Sequence, residues 1–173
     1  VPQVRERVFV VGHRDGKKFD FPKPTNGLPP RRKWDDEVDT AAGYSIPEGM
    51  LPAATAWDAI GHLDVGSDPA LAPRGKWADL LPSIPEGHNY LHHTDRGKGL
   101  SLFGWRTRYS SMLLKLAKNR PSWTLTAYPG PAIGPFHWDS RRLSARELAA
   151  LQTFPSDFIV LGDLRAAYKQ LGN

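Results

Sequence analysis

Cysteine is absent from the 173 residues. That absence removes disulfides, thiolate zinc sites and any cysteine nucleophile from this polypeptide. Long apolar runs are missing as well: none approaches the ~18 residues of a membrane span. The opening Val1-Pro2-Gln3-Val4-Arg5 lacks the charged-then-apolar order of a signal peptide. There is no internal repeat, no Gly-x-Ser-x-Gly, no Gly-x-Gly-x-x-Gly and no Walker loop, so neither a nucleophile elbow nor a nucleotide cradle is written here. Acidic residues are the minority, 18 against 23 Lys+Arg, which leaves a net charge of +5 and a pI near 9.6. What remains is 40% hydrophobic residues, six Trp, 16 Gly and 16 Pro. That composition sustains a core interrupted by many turns and excludes disorder or a collagen-like chain. One compact domain or a small pair is expected, soluble and without a membrane. A start at Val1 rather than Met, directly in a motif, reads as a piece of something longer.

Val8-Phe9-Val10-Val11 is short, β-branched and apolar without alternation, the pattern of a strand buried on both faces of an α/β sheet. From Asp15 to about Gly49, Pro, Gly and Lys alternate with basic Arg31-Arg32-Lys33 and acidic Asp35-Asp36-Glu37, predicting an extended, solvated connection. Thr55 and Asp58 form a capping pair, and Ala56, Ala59, Ile60 and Leu63 share one helix face. Residues 64–104 show no sustained period and predict irregular structure held by scattered aromatics. Ser110 or Ser111 is expected to open a helix through Met112-Leu113-Leu114-Lys115-Leu116-Ala117, and residues 122–126 alternate like a strand. Ser144 and Glu147 spell a capping box, with Leu143 placed to staple onto Leu148, so a helix is expected over about 145–153, stopped by Phe154-Pro155. A last helix over about 164–171 would end at Gly172, a suitable residue just past a helix end.

In Gln3-x-Arg5-x-Arg7 a period of two places three polar side chains on one side of an extended segment. Planar guanidiniums there suit phosphate, carboxylate or a base edge, although an edge strand can equally be solvated. Residues 96–120 carry seven basic residues, among them Arg96, Lys98, Arg106, Arg108, Lys115 and Arg120, and no acidic ones. Phe103, Trp105, Tyr109 and three glycines are interleaved. Such a stretch suits a polyanion, or forms an ordinary solvated surface. His88, His92, His93 and Asp95 could be drawn as a metal cluster, but Pro85-Glu86-Gly87 argues against a helix presenting them and no Cys supports them. No metal is expected.

Taken together, these segments resemble the C-terminal part of a bacterial DNA (cytosine-5) methyltransferase. Gln3-x-Arg5-x-Arg7 with the following apolar run is similar to that family's eighth motif. Arg142-Leu143-Ser144-x-Arg146-Glu147 with Leu151-Gln152-x-Phe154-Pro155 is similar to its ninth, and Tyr168-Lys169-Gln170-Leu171-Gly172-Asn173 to the opening of its tenth. Gly134-Pro135-Phe136-His137-Trp138 also looks familiar from this family. The resemblance implies a mixed α/β fold: residues 1–26 as an edge strand region of the catalytic domain, 27–120 as an irregular target recognition domain, and 121–173 as terminal helices returning to the catalytic domain.

The same resemblance implies sequence-specific recognition of double-stranded DNA, with Gln3, Arg5 and Arg7 around the flipped cytosine, which must leave the stack to react. Arg96, Lys98, Arg106, Arg108, Lys115 and Arg120 would contact DNA, and Arg142, Ser144, Arg146, Glu147 and Gln152 would be structural. Asn173 would face S-adenosylmethionine, a cofactor bound mainly by an N-terminal part that also carries the Pro-Cys nucleophile. That part is the implied partner, in the same chain or as a split subunit, within a bacterial restriction-modification setting in the cytoplasm near the nucleoid. With no cysteine, covalent attack on cytosine cannot occur here and the chain alone is expected to be inactive. The rival reading is a stand-alone basic nucleic-acid-binding module that never meets such a partner.

Overall fold

The computed structural model describes residues 1–27, 46–105 and 109–172. Among the described residues it is a mixed α/β chain with little regular structure. Two two-residue strands, β1 (Asn26–Gly27) and β2 (Leu51–Pro52), pair in parallel, and three helices follow: α1 (Ala56–Ile60), α2 (Ala145–Leu151) and α3 (Leu164–Leu171). Three 3-10 turns, Pro69–Leu71, Ala78–Ser83 and Tyr90–His93, punctuate the irregular stretch between α1 and residue 104, as its lack of period predicts. The expected connection beyond Asp15 is exposed and irregular through Thr25, and its charged Arg31 to Glu37 portion lies outside the described residues.

Each helix begins where its cap dictates. Thr55 Oγ1 accepts from the Asp58 N–H at 3.1 Å while Asp58 accepts from the Thr55 N–H at 2.9 Å, closing the capping box of α1. Ser144 and Glu147 do the same for α2, at 3.2 and 2.8 Å. Asp163 caps α3 by accepting from the Ala166 N–H at 2.8 Å. Gly172 ends α3 in the right-handed region, φ −88, so left-handed freedom is not why glycine stands there. Space is the reason: a Cβ at Gly172 would lie 2.6 Å from the Ala127 backbone nitrogen.

The three helices share a buried cluster of Ala56, Ile60, Leu116, Leu125, Leu143, Leu148, Leu151 and Leu171, with Ala59 and Leu63 packed against it as the α1 face predicts. A second cluster, Leu81, Ile84, Tyr90, Leu91, Leu113 and Phe136, sits under the 3-10 turns. Packing runs without a break across residue 120.

Three expected elements do not form. Residues 112–117 do not form a helix: Leu113 adopts φ +52, and Met112 and Lys115 make β-bridges to Ile133 and Phe136. Five apolar residues interrupted by Lys115 do not distinguish a helix from a buried non-helical segment. Here the donors go sideways, Leu113 N–H to Ala132 O at 2.8 Å and Lys115 N–H to His88 O at 2.9 Å. Residues 8–11 form no strand and stand in the open, Val8 91% and Val10 95% exposed, because no described residue pairs with them. Residues 122–126 make a single bridge, Ser122 to Gln3, instead of a strand.

Candidate nucleic-acid interface

The basic region is built on a glycine-tight turn. Thr94, 1% exposed, donates its hydroxyl to Leu91 O at 2.7 Å, and the N–H groups of Gly97 and Gly99 return to Thr94 O and His92 O at 3.0 and 2.8 Å. A Cβ at Gly97 would overlap the His92 and Leu91 carbonyls, and one at Gly99 would lie 2.6 Å from His93 Nδ1. Only glycine lets the backbone approach this closely. His93 rivets the turn from below: buried, it sits 2.8 Å from Ser83 Oγ and 3.2 Å from Leu100 O. Burial first, then His93 and Lys98, lower the neighbouring His92, which favours a neutral imidazole there.

At the rim of this turn Arg96 and Lys98 are exposed, and the Arg96 guanidinium rests 4.9 Å from the Trp105 ring centroid. A guanidinium stacked on an indole is held in place while its donors stay open to a ligand. Arg106 and Arg108 lie outside the described residues. Arg120 is half-buried, its carbonyl accepting from the Ala56 N–H at 2.7 Å. Lys115 departs from the expected surface role: 5% exposed, it points inward and donates to Ser140 Oγ at 2.9 Å. Burial lowers its pKa against the opposing pull of Asp139 and Glu86. Lys118, in the same stretch, lies 5.5 Å over Trp57 and 5.6 Å over Trp138 and pairs with Glu86 at 3.9 Å.

Gln3, Arg5 and Arg7 are not brought together on one face. Gln3 is buried beside Ser122, and its Nε2 has no hydrogen-bond partner among the described residues. Arg5 is half-buried and donates to Gly172 O at 3.4 Å. Arg7 is exposed and reaches only Glu6 O, at 2.9 Å. The segment bends away from residue 122 after Val4, so a period of two is kept only as far as that pairing.

Behind both regions lies a buried ionic cluster on α2. Glu147, 0% exposed, accepts from Arg141 Nη1 and Nη2 at 2.8 and 2.7 Å and from the Ser144 N–H at 2.8 Å. Burial alone would push this carboxyl up, but the Arg141 and Ser144 hydrogen bonds outweigh it and hold it below the ordinary carboxylate range. His137 Nδ1 accepts from the Asp139 N–H at 3.1 Å, which places the imidazole proton on Nε2, 3.5 Å from Glu147 Oε1. Burial, then Arg141, lowers His137 to about 4, so it is neutral here. Arg142 Nη2 donates to the Gly130 and Pro131 carbonyls at 2.9 and 3.0 Å, and its guanidinium lies 5.3 Å from the Phe136 ring. Gln152 Nε2 donates to Leu171 O and ties α2 to α3, whereas Arg146 is exposed.

Arg141 and His137 escaped assignment from the sequence. The visible signal was a pair of adjacent arginines ahead of a capping box whose Glu turns inward. Asn173 lies outside the described residues. Among the described residues, no group of three or more His, Asp or Glu could hold a metal, and no helix is long and apolar enough to cross a membrane.

The family model for C-5 cytosine-specific DNA methylase matches residues 83–173. The chain belongs to that family. Similar proteins include the type II methyltransferase M.SacI of Streptomyces achromogenes, 39% identical over the whole chain and 44% of that protein. M.NgoFVII of Neisseria gonorrhoeae is 32% identical over the whole chain and 42% of its own length, and M.BbvI of Brevibacillus brevis 30% identical over 99% of the chain and 41% of its own length. The chain thus spans less than half the length of the curated relatives it matches.

Proposed function

We propose that this chain is the DNA-reading part of a cytosine-5 methyltransferase, with residues 27–120 as the recognition region and residues 1–26 and 121–173 lying against a catalytic part. The observation that carries the reading is the Gly97-Lys98-Gly99 turn, which holds exposed cationic side chains beside the Arg96–Trp105 stack. Lys98, a flexible point charge between glycines, suits a phosphate, whereas the stacked, planar Arg96 suits a base edge.

With no cysteine in the sequence, the chain supplies no nucleophile for the cytosine ring, and methyl transfer requires a partner carrying one. S-adenosylmethionine, the methyl donor of this chemistry, needs a binding site of its own. Two of the carboxylates lining cavities of this chain are engaged locally: Asp64 accepts from the Gly66 N–H and Asp163 caps α3. The N-terminal catalytic part supplies that site, and this chain positions the DNA. Residues 8–11, an exposed apolar ribbon, favour such a partner over a stand-alone binding module.

The test measures duplex binding and label transfer from S-adenosylmethionine to DNA. The chain alone is expected to bind duplex DNA and transfer no label. Lys98→Ala should weaken binding to all duplexes alike and flatten the slope of log affinity against log salt by about 1. Arg96→Ala should cost roughly 1–3 kcal/mol at the cognate site and little elsewhere. Label transfer by the chain alone, or unchanged binding in both variants, would overturn the reading.

A further inference from the structure

A cavity of about 580 Å³ opens between α3, the turn at residues 127–130 and the segment around Arg74, away from the Arg96 turn. Three arginines line it, Arg74, Arg142 and Arg165, together with Asp163, Tyr128 and Tyr168. Three positive side chains less one negative leave a net of two positive charges, and the Asp163 carboxylate is already turned to the Ala166 N–H.

The wall is built. Arg142 fastens the 127–130 turn through the Gly130 and Pro131 carbonyls. Gly75, at φ +91, lets the Arg74 segment close onto the same turn, where a Cβ would lie 3.0 Å from the Pro131 side chain. Arg142 also donates to buried Tyr168, whose hydroxyl burial raises above its ordinary pKa, so the phenol stays neutral and adds no competing negative charge. Arg74 and Arg165, by contrast, are exposed and make no hydrogen bond or ion pair among the described residues. Two exposed arginines lining one cavity offer it positive charge without a carboxylate partner among the described residues. Their planar forks match the oxygens of a phosphate. The Tyr128 ring, 61% exposed at the mouth, gives a flat apolar face for the sugar or base attached to it.

We infer that this cavity seats a backbone phosphate of double-stranded DNA, held between Arg74 and Arg165. The inference rests on the DNA-reading role proposed above and adds a second anchoring point on the face of α3. Such a contact positions the duplex without reading its sequence.

The experiment is a salt titration of duplex binding by the full chain and by Arg74→Ala, Arg165→Ala, the double variant and Arg165→Lys, on cognate and scrambled duplexes. The two alanine variants should weaken binding to both duplexes alike, and the double variant should flatten the log affinity against log salt slope by about 1. Arg165→Lys should keep the slope, since the charge remains. Thermal unfolding midpoints should match the parent chain, because both side chains are exposed. If the parent chain binds duplex DNA and the double variant has the same affinity and slope, the phosphate site is overturned while the DNA-reading role stands. If the parent chain binds no duplex at all, that role fails and the site with it. Inorganic phosphate is titrated separately against the Arg165 Nε–H resonance. Saturation by phosphate combined with unaltered duplex binding in the variants would give the cavity to a free anion and also overturn the inference.

Discussion

Arg141→Met should cost the chain about 3–5 kcal/mol of stability at pH 7, the usual loss when one partner of a buried ion pair is removed. Glu147 is wholly buried, and two of its three hydrogen bonds come from the Arg141 fork, at 2.8 and 2.7 Å. Each charge-assisted bond is worth roughly 1.5–3 kcal/mol net, and Met fills similar volume without replacing either. The stranded carboxylate then keeps only the Ser144 N–H and the more distant His137 Nε2, 3.5 Å away, and the burial effect that Arg141 now overrides pushes its pKa up. Against a total stability of about 5–15 kcal/mol this is a large fraction. Urea unfolding at pH 7 measures it as a lowered midpoint at unchanged slope. Arg141→Met combined with Glu147→Leu should recover most of the loss, because no buried charge remains, leaving about 1 kcal/mol for the broken capping box. A loss below about 1 kcal/mol in the single variant, or a double variant less stable than the single, would refute the account.

His137 is held neutral with a folded pKa of about 4, so on acidification the unfolded chain takes its proton first, near 6.5, and the folded chain only near 4. Stability should therefore fall as pH drops from about 6.5 to 4, by up to about 3 kcal/mol, and urea midpoints across that range should flatten in His137→Gln. Gly172→Ala should destabilise by about 1–3 kcal/mol, read by thermal unfolding, since its Cβ meets backbone at Ala127 and Thr126 instead of a side chain that can yield. Val8→Lys with Val10→Lys should leave the unfolding of this chain within about 0.5 kcal/mol, both side chains being exposed. The same pair should abolish methyl transfer when the chain is mixed with an N-terminal methyltransferase part, and retained transfer would show that residues 8–11 dock nothing.

The helices were legible because their signals are local. Ser144 with Glu147 and Thr55 with Asp58 each satisfy N–H groups within three residues, so no distant partner has to be known; the Asp163 cap of α3, equally local, was not read from the sequence. The 112–117 segment was not legible for the opposite reason. Its conformation is decided by residues 87–90 and 132–136, whose carbonyls and N–H groups it meets, and local apolarity says nothing of them. Lys115 misled for a related reason: formal charge counts it with its basic neighbours, while its ammonium finds Ser140 in the interior. Residues 8–11 carry the pattern of a sheet interior, and no described residue supplies the sheet. The role of Glu147 was half legible, since the capping box shows one partner and hides the arginine six residues before it.

Those sideways bonds also hold the proposed recognition turn in place where the described residues carry little regular structure. Met112 O and Leu116 O accept from the N–H groups of Tyr90 and Gly87 on one side, while Leu113 and Leu116 donate to Ala132 O and Phe136 O on the other. Leu116 enters the cluster shared by the helices, and Leu113 enters the cluster under the 3-10 turns. One segment therefore joins the two cores, and the left-handed turn at Leu113 is where it passes between them. The basic stretch leaves this layer at Tyr90 and rejoins it at Met112, so both of its ends are tied to the segment that also carries Leu116 against α2. A shift of the Arg96 turn relative to α2 would have to break hydrogen bonds on both sides of residues 112–116 and open one cluster or the other. Its orientation is consequently set by the capped helices, and the irregular backbone between residues 64 and 104 can vary in sequence at its surface without losing its place.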